Sequence, residues 1–139
     1  MKKILIQAWI LCALAFLPAM GSALFHPRKP AWEEKLSKGE VTLSIVKAWG
    51  KPVLWIDART RTEFEKGHIP SAKRLNEDEW GSLFMAILES WSPGQPVVVY
   101  CNGETCEASQ HVAERLRKSG IESVFVLKGG WSAWEKDQK

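Results

Sequence analysis

The sequence predicts an α/β fold in which a parallel sheet is layered between helices, and three observations carry that prediction. Short, unbroken apolar runs recur along the chain: Val53-Leu54-Trp55-Ile56, Pro96-Val97-Val98-Val99-Tyr100 and Ser123-Val124-Phe125-Val126-Leu127. Runs of this kind suit strands buried on both faces, as in parallel sheets. Helical stretches lie between or beside them, and strands alternating with helices make layered α/β architecture. Finally, each run is closed by a residue that ends a strand: Asp57, Cys101 and the pair Gly129-Gly130.

Taken in order, the first run predicts a strand ended at Asp57. Leu83-Phe84-Met85-Ala86-Ile87-Leu88 then predicts a helix. The second run predicts the strand that ends at Cys101. A further helix is expected from about Glu107 to Lys118, with Val112, Ala113 and Leu116 on one face. Gly120 stands where such a helix should stop. The third run supplies the last strand. No internal repeat or low-complexity segment interrupts this order.

Composition narrows the function. The 139 residues are 45% apolar and 25% charged, enough to bury a core in one small domain. A net charge of +3, evenly spread, argues against a nucleic-acid partner. The eight tryptophans are expected to pack in the core, apart from Trp9 in the leader. Cys12 also falls in the leader, which leaves Cys101 and Cys106 for the folded part. Two cysteines five positions apart form a local pair, not a disulfide framework.

The amino terminus reads as a leader. Lys2 and Lys3 precede residues Ile4 to Phe25, which carry no charge. As a helix this run would reach roughly 33 Å, enough to span a bilayer core. Two readings fit: a secretory signal peptide cleaved near Ala23, or a retained amino-terminal anchor over residues 4–25. Both export the domain, to the periplasm if the organism is bacterial, with the lysines left inside. The expected division is therefore 1–25 leader, 26–39 linker and 40–137 folded domain.

Cys101 stands between a strand and a helix, where α/β sheets bind ligands. Its loop is Cys101-Asn102-Gly103-Glu104-Thr105-Cys106, followed by Glu107. A short glycine-containing loop entering a helix can aim backbone N–H groups inward as an anion cradle. Such dipoles favour the thiolate and make the thiol a nucleophile at neutral pH. Position alone leaves a second reading open, a buried strand-end cysteine with no chemistry.

The wider motifs tip that balance. Asp57-Ala58-Arg59, then Glu63-Phe64 and Gly67-His68-Ile69-Pro70-Ser71-Ala72, resemble the first signature of the rhodanese superfamily. Val98-Val99-Tyr100-Cys101 resembles its active-site strand. Leu127-Lys128-Gly129-Gly130-Trp131-Ser132-Ala133-Trp134 resembles its carboxy-terminal signature. The resemblance implies a three-layer fold whose Cys101 takes up a sulfane sulfur as a persulfide and passes it to a nucleophile. The partners so implied are a small sulfur-donor molecule and a thiol acceptor, with no cofactor and no metal. Asp57, Arg59 and Glu63 are expected to form an ion-paired brace beneath the loop, and His68 a turn.

The loop departs from the common pattern. Many active rhodaneses carry arginine five residues after the cysteine; here Cys106 stands there, and no Lys or Arg occurs between Cys101 and Ser109. A carboxylate about 7 Å from the sulfur, at an effective dielectric of ~40, would oppose the thiolate by about 1 kcal/mol. Glu104 and Glu107 could supply one, although both also suit a helix amino terminus. Cys106 has two readings as well: a small helix-start residue, or a resolving thiol that bridges to Cys101 and is released by a thioredoxin-like reductant. Glu107, six residues after Cys101, argues against a phosphatase. Two other classes stay in view: a non-catalytic, membrane-tethered docking module, and a thiol–disulfide redox protein using Cys101 and Cys106.

Overall fold

The computed structural model describes residues 36–103 and 106–139. The leader and most of the expected linker therefore lie outside the described residues, as do Glu104 and Thr105. Leu36–Lys139 forms one compact unit. Residues just before Glu40 are tied into it. The Ser37 N–H donates to the Glu40 carboxylate at 2.7 Å, and the Val126 N–H donates to the Gly39 carbonyl at 2.9 Å.

Five strands make one sheet: β1 (Glu40–Val41), β2 (Leu54–Asp57), β3 (Lys73–Arg74), β4 (Val97–Tyr100) and β5 (Val124–Leu127). Their order is β1-β5-β4-β2-β3, and every pair is parallel. Five helices flank it: α1 (Leu43–Ala48), α2 (Arg61–Lys66), α3 (Trp80–Ser90), α4 (Glu107–Lys118) and α5 (Gly130–Asp137). The three apolar runs became β2, β4 and β5, and the helix expected from Glu107 to Lys118 is α4. The two-residue edge strands, α1, α2 and α5 were not anticipated.

Strand alternation sorts the core into two halves. Val97 and Val99 face one side with Leu54, Ile56 and Val126, against Trp80 and Ile87 of α3 and Val112 and Leu116 of α4. Val98 and Tyr100 face the other side with Leu127, against Leu43 and Val46 of α1 and Trp131 and Trp134 of α5. The four residues of β4 are all buried, as the middle strand of a two-sided sheet must be. The six described tryptophans, at 49, 55, 80, 91, 131 and 134, all pack into or against these clusters.

Local chemistry explains the helices. On α4 the buried positions are Ser109, Val112, Ala113 and Leu116, one stripe at helical spacing. Each large apolar side chain buried there is worth roughly 1.5–3 kcal/mol. Gly120, at φ +95°, takes the left-handed conformation that follows the helix end. Helix α2 buries no residue, and a capping box starts it. The Glu63 N–H donates to the Thr60 hydroxyl at 3.4 Å, and the Thr60 N–H donates to the Glu63 carboxylate at 3.1 Å.

Candidate active site

Cys101 follows the last residue of β4, the middle strand of the five, at the carboxyl edge of the sheet. Only 2% of it is exposed. Its sulfur is joined to that of Cys106, and the two Cα atoms are 6.3 Å apart, within the reach of a disulfide. Cys106 is partly exposed and is the cap residue that opens α4. It offers no side-chain hydrogen bond to the helix, so its sulfur is available to Cys101.

The Cys101 sulfur was expected in an N–H cradle that draws on Glu104 and Thr105, outside the described residues. Among the described residues it lies 3.5 Å from the Ser109 hydroxyl, 3.8 Å from the Gly103 carbonyl oxygen and 3.9 Å from that of Cys106. A bridged sulfur carries no negative charge and has no need of donors. Ser109 is 2% exposed and donates its hydroxyl to the Cys106 carbonyl at 3.0 Å. It was missed from the sequence, where its one signal is a polar residue on the buried stripe of α4.

Beneath the loop, Asp57 and Arg59 form a buried pair, with side chains 0% and 4% exposed. Both Arg59 Nε and Nη2 donate to the carboxylate, at 2.6 to 3.1 Å, and the Arg59 backbone N–H adds a bond of 2.9 Å. Nη2 also donates to the Gly67 carbonyl at 2.7 Å. The guanidinium lies 4.8 Å from the Trp131 ring centre and 5.6 Å from that of Tyr100. Burial lowers the Arg59 pKa, but the hydrogen bonds and charge of Asp57 outweigh it and the net shift is upward. One side chain thus ties together the three motifs that the sequence keeps apart. Tyr100 is fully buried beside it; its phenol oxygen accepts the Ile69 N–H at 3.1 Å, and burial raises its pKa.

Glu63 feels the charge of Arg59 but takes its hydrogen bonds elsewhere. It accepts from the Asn102 side-chain amide at 2.5 Å, so it holds the loop by a hydrogen bond where an ion pair was expected. Bonds from Asn102, then Thr60, hold its carboxyl below the usual glutamate range. The loop backbone is gripped from the other side by α5. The Trp131 N–H donates to the Cys101 carbonyl at 2.6 Å, and Ser132 donates its N–H and hydroxyl to the Asn102 carbonyl at 3.1 and 2.9 Å. Gly130, at φ +49°, passes so close that a Cβ there would overlap the Cys101 carbonyl. His68 stacks on Phe64 with ring centres 3.8 Å apart, and its Nδ1 is 2.9 Å from the Phe64 carbonyl oxygen.

A pocket of about 200 Å³ opens beside the bridge. Gly103, Cys106, Glu107, Ser109 and Gln110 line one wall, while Glu40 and Lys128 enter from strand ends across the sheet. Lys128 follows the end of β5 and lines this pocket because β5 runs beside β4. Among the described residues, no group of three or more His, Cys, Asp or Glu could hold a metal ion.

The Rhodanese-like domain family matches residues 44–137 of this chain. The chain belongs to that family. It is 32% identical over 131 residues to the uncharacterized protein YibN of Escherichia coli, covering 94% of this chain and 84% of that one. The thiosulfate sulfurtransferase GlpE of Shewanella oneidensis is 31% identical over 86 residues, which cover 62% of this chain and 79% of that enzyme. Among solved structures, a rhodanese-like domain protein from Staphylococcus aureus is 32% identical with a TM-score of 0.53, covering 68% of this chain and 89% of that one. The Alr3790 protein from Anabaena reaches 28% identity and a TM-score of 0.58, over 70% of this chain and 75% of that one. This rhodanese-like domain spends its carboxyl-edge loop on a cysteine pair.

Proposed function

We propose that the domain is a sulfurtransferase that carries sulfane sulfur on Cys101, with Cys106 as its resolving thiol. The observation that carries this reading is the place of Cys101: at the carboxyl end of the middle strand, gripped by a hydrogen bond to its carbonyl, with a second sulfur in bonding reach. Likeness to proteins named thiosulfate sulfurtransferase supports it. In the first step the Cys101 thiolate attacks the sulfane sulfur of a thiosulfate- or persulfide-type donor. Sulfite or a thiolate leaves, and Cys101 becomes a persulfide. An acceptor thiolate then takes the outer sulfur and Cys101 leaves as thiolate. Without an acceptor, the Cys106 thiolate attacks the inner sulfur, hydrosulfide leaves, and the bridge forms.

Intact mass after thiosulfate, polysulfide or glutathione persulfide tests this directly, with sulfur uptake read on reduced Cys106→Ser, where no second thiol can expel the sulfur, and bridge formation read on the reduced parent chain. A sulfurtransferase gains one or more sulfur atoms at Cys101. A protein that only cycles the Cys101–Cys106 bridge, the second reading that the bonded pair favours, gains none and loses two hydrogens. The same null uptake without a bridge would mark a docking module.

Donor preference follows from charge. Glu107 lines the pocket with Cys106, and Glu104 belongs to the same loop. Replacing both with Gln is expected to raise thiosulfate kcat/KM roughly tenfold, the effect of about 1.4 kcal/mol from two partly screened charges on a dianion. The gain should shrink in high salt. An unchanged ratio of thiosulfate to persulfide turnover at low salt would count against this role for the carboxylates.

We place the domain outside the cytoplasm on the strength of the uncharged run from Ile4 to Phe25. A carboxy-terminal alkaline phosphatase fusion, active only after export, is expected to be active. The mass of the mature chain then tells cleavage near Ala23 from a retained membrane anchor.

A further inference from the structure

We infer that Cys106, not Cys101, is the sulfur a reducing thiol attacks, and that the pocket beside it receives the reactive cysteine of a dithiol protein. The inference rests on the proposed pairing of Cys101 as carrier with Cys106 as resolving thiol. Thiol–disulfide exchange needs a nearly linear approach to one sulfur, so access decides which sulfur is attacked. Cys101 is 2% exposed, held against Ser109 of α4 and Trp131 of α5. Cys106 is partly exposed and lines the pocket. At about 200 Å³ the pocket is smaller than the roughly 300–1,000 Å³ of ordinary small-molecule sites, and suits a single side chain offered by a partner surface. Glu40, Glu107 and Gln110 line it with carboxylates and an amide, polar groups that suit such a partner's backbone.

The leaving group fits as well. When the incoming thiolate bonds to the Cys106 sulfur, the bridge breaks and its electron pair departs on Cys101. The Ser109 hydroxyl, 3.5 Å from that sulfur, can turn from the Cys106 carbonyl to donate to the new thiolate. The partner's second thiol then attacks the mixed disulfide, leaves Cys106 reduced, and ends as a disulfide itself. Two electrons pass, and Cys101 is released as the thiolate that sulfur transfer needs. Attack on Cys101 instead would free Cys106 and leave the carrier blocked.

The test uses the full oxidised chain with Cys12→Ser, so that only the pair remains. It is treated briefly with 2-mercaptoethanol, and separately with a thioredoxin whose second active-site cysteine is serine. Both reactions are quenched in acid, and the mixed disulfides are mapped by peptide mass. The expected result is adduct on Cys106 at least about tenfold above Cys101 at the earliest times, with Cys101 the free thiol. Adduct chiefly on Cys101, an even division, no thioredoxin adduct, or two free thiols in the oxidised chain would each overturn the inference. Sulfur uptake by reduced Cys106→Ser from glutathione persulfide reports on the carrier reading alone. A chain that takes up sulfur there but is attacked at Cys101 loses this inference and keeps that one.

Discussion

Cys101→Ser is expected to reduce sulfur transfer to the uncatalysed background while leaving the domain folded. A serine hydroxyl stays protonated at neutral pH and is a far weaker sulfur nucleophile than a thiolate, so no persulfide can form. The fold should tolerate the exchange because the site already offers a hydroxyl partner. Ser109 and the carbonyl oxygens of Gly103 and Cys106 surround the sulfur at 3.5 to 3.9 Å, and a small shift lets the new hydroxyl donate to one of them. A satisfied buried hydroxyl costs about 1 kcal/mol or less, and an orphaned one about 1–3 kcal/mol. Circular dichroism and urea unfolding check the fold, and uptake of sulfur mass checks the chemistry. Full turnover by a folded Cys101→Ser protein would remove Cys101 from the reaction. Cys106→Ser separates the two sulfurs: it should still accept one sulfur at Cys101, yet fail to expel it as hydrosulfide.

The parts of the fold legible in the sequence are those with a strong local pattern. Strands β2, β4 and β5 are unbroken apolar runs, and α4 repeats its buried residues at helical spacing. Strands β1 and β3 are two residues each, at the sheet edges, and β3 is Lys73-Arg74. Backbone pairing alone makes such strands, and it leaves no mark in the side chains. Helix α2 buries no residue and shows no apolar stripe; its one signal was Thr60 with Glu63, the capping box.

The site divides in the same way. The place of Cys101 was legible because a strand end, a glycine loop and a helix start are all local features, while its expected role came from the resemblance of the wider motifs. The reach of Cys106 was not, since it depends on the folded chain bringing the two Cα atoms to 6.3 Å. Lys128 and Glu40 enter the pocket from β5 and β1, and only the parallel order of the sheet puts them there. Reading the loop by itself therefore gave two acids and no cation. The folded pocket also holds a lysine, which is why the charge test above changes carboxylates and leaves Lys128 in place.

Asp57→Ala is expected to cost about 3–5 kcal/mol of stability, because it strands a guanidinium in the interior. Arg59 is 4% exposed at its side chain, and its cation has one carboxylate, one carbonyl and two ring faces as partners. Removing the carboxylate also deprives the Arg59 backbone N–H of its acceptor at 2.9 Å. For a domain of this size total stability is about 5–15 kcal/mol, so the loss is a large share of it. The urea midpoint should fall by on the order of 2 M. Arg59→Lys is expected to fail nearly as badly, since an ammonium can neither fork to the carboxylate nor replace the planar cation near the Tyr100 and Trp131 rings. The double change Asp57→Leu with Arg59→Met removes both charges, and should recover much of the stability lost by either single change to an uncharged residue. A loss below about 1 kcal/mol for Asp57→Ala would mean that water reaches the guanidinium, and the pair would then be no support for the loop. The larger loss would tie the three motifs to one another through a single buried cation.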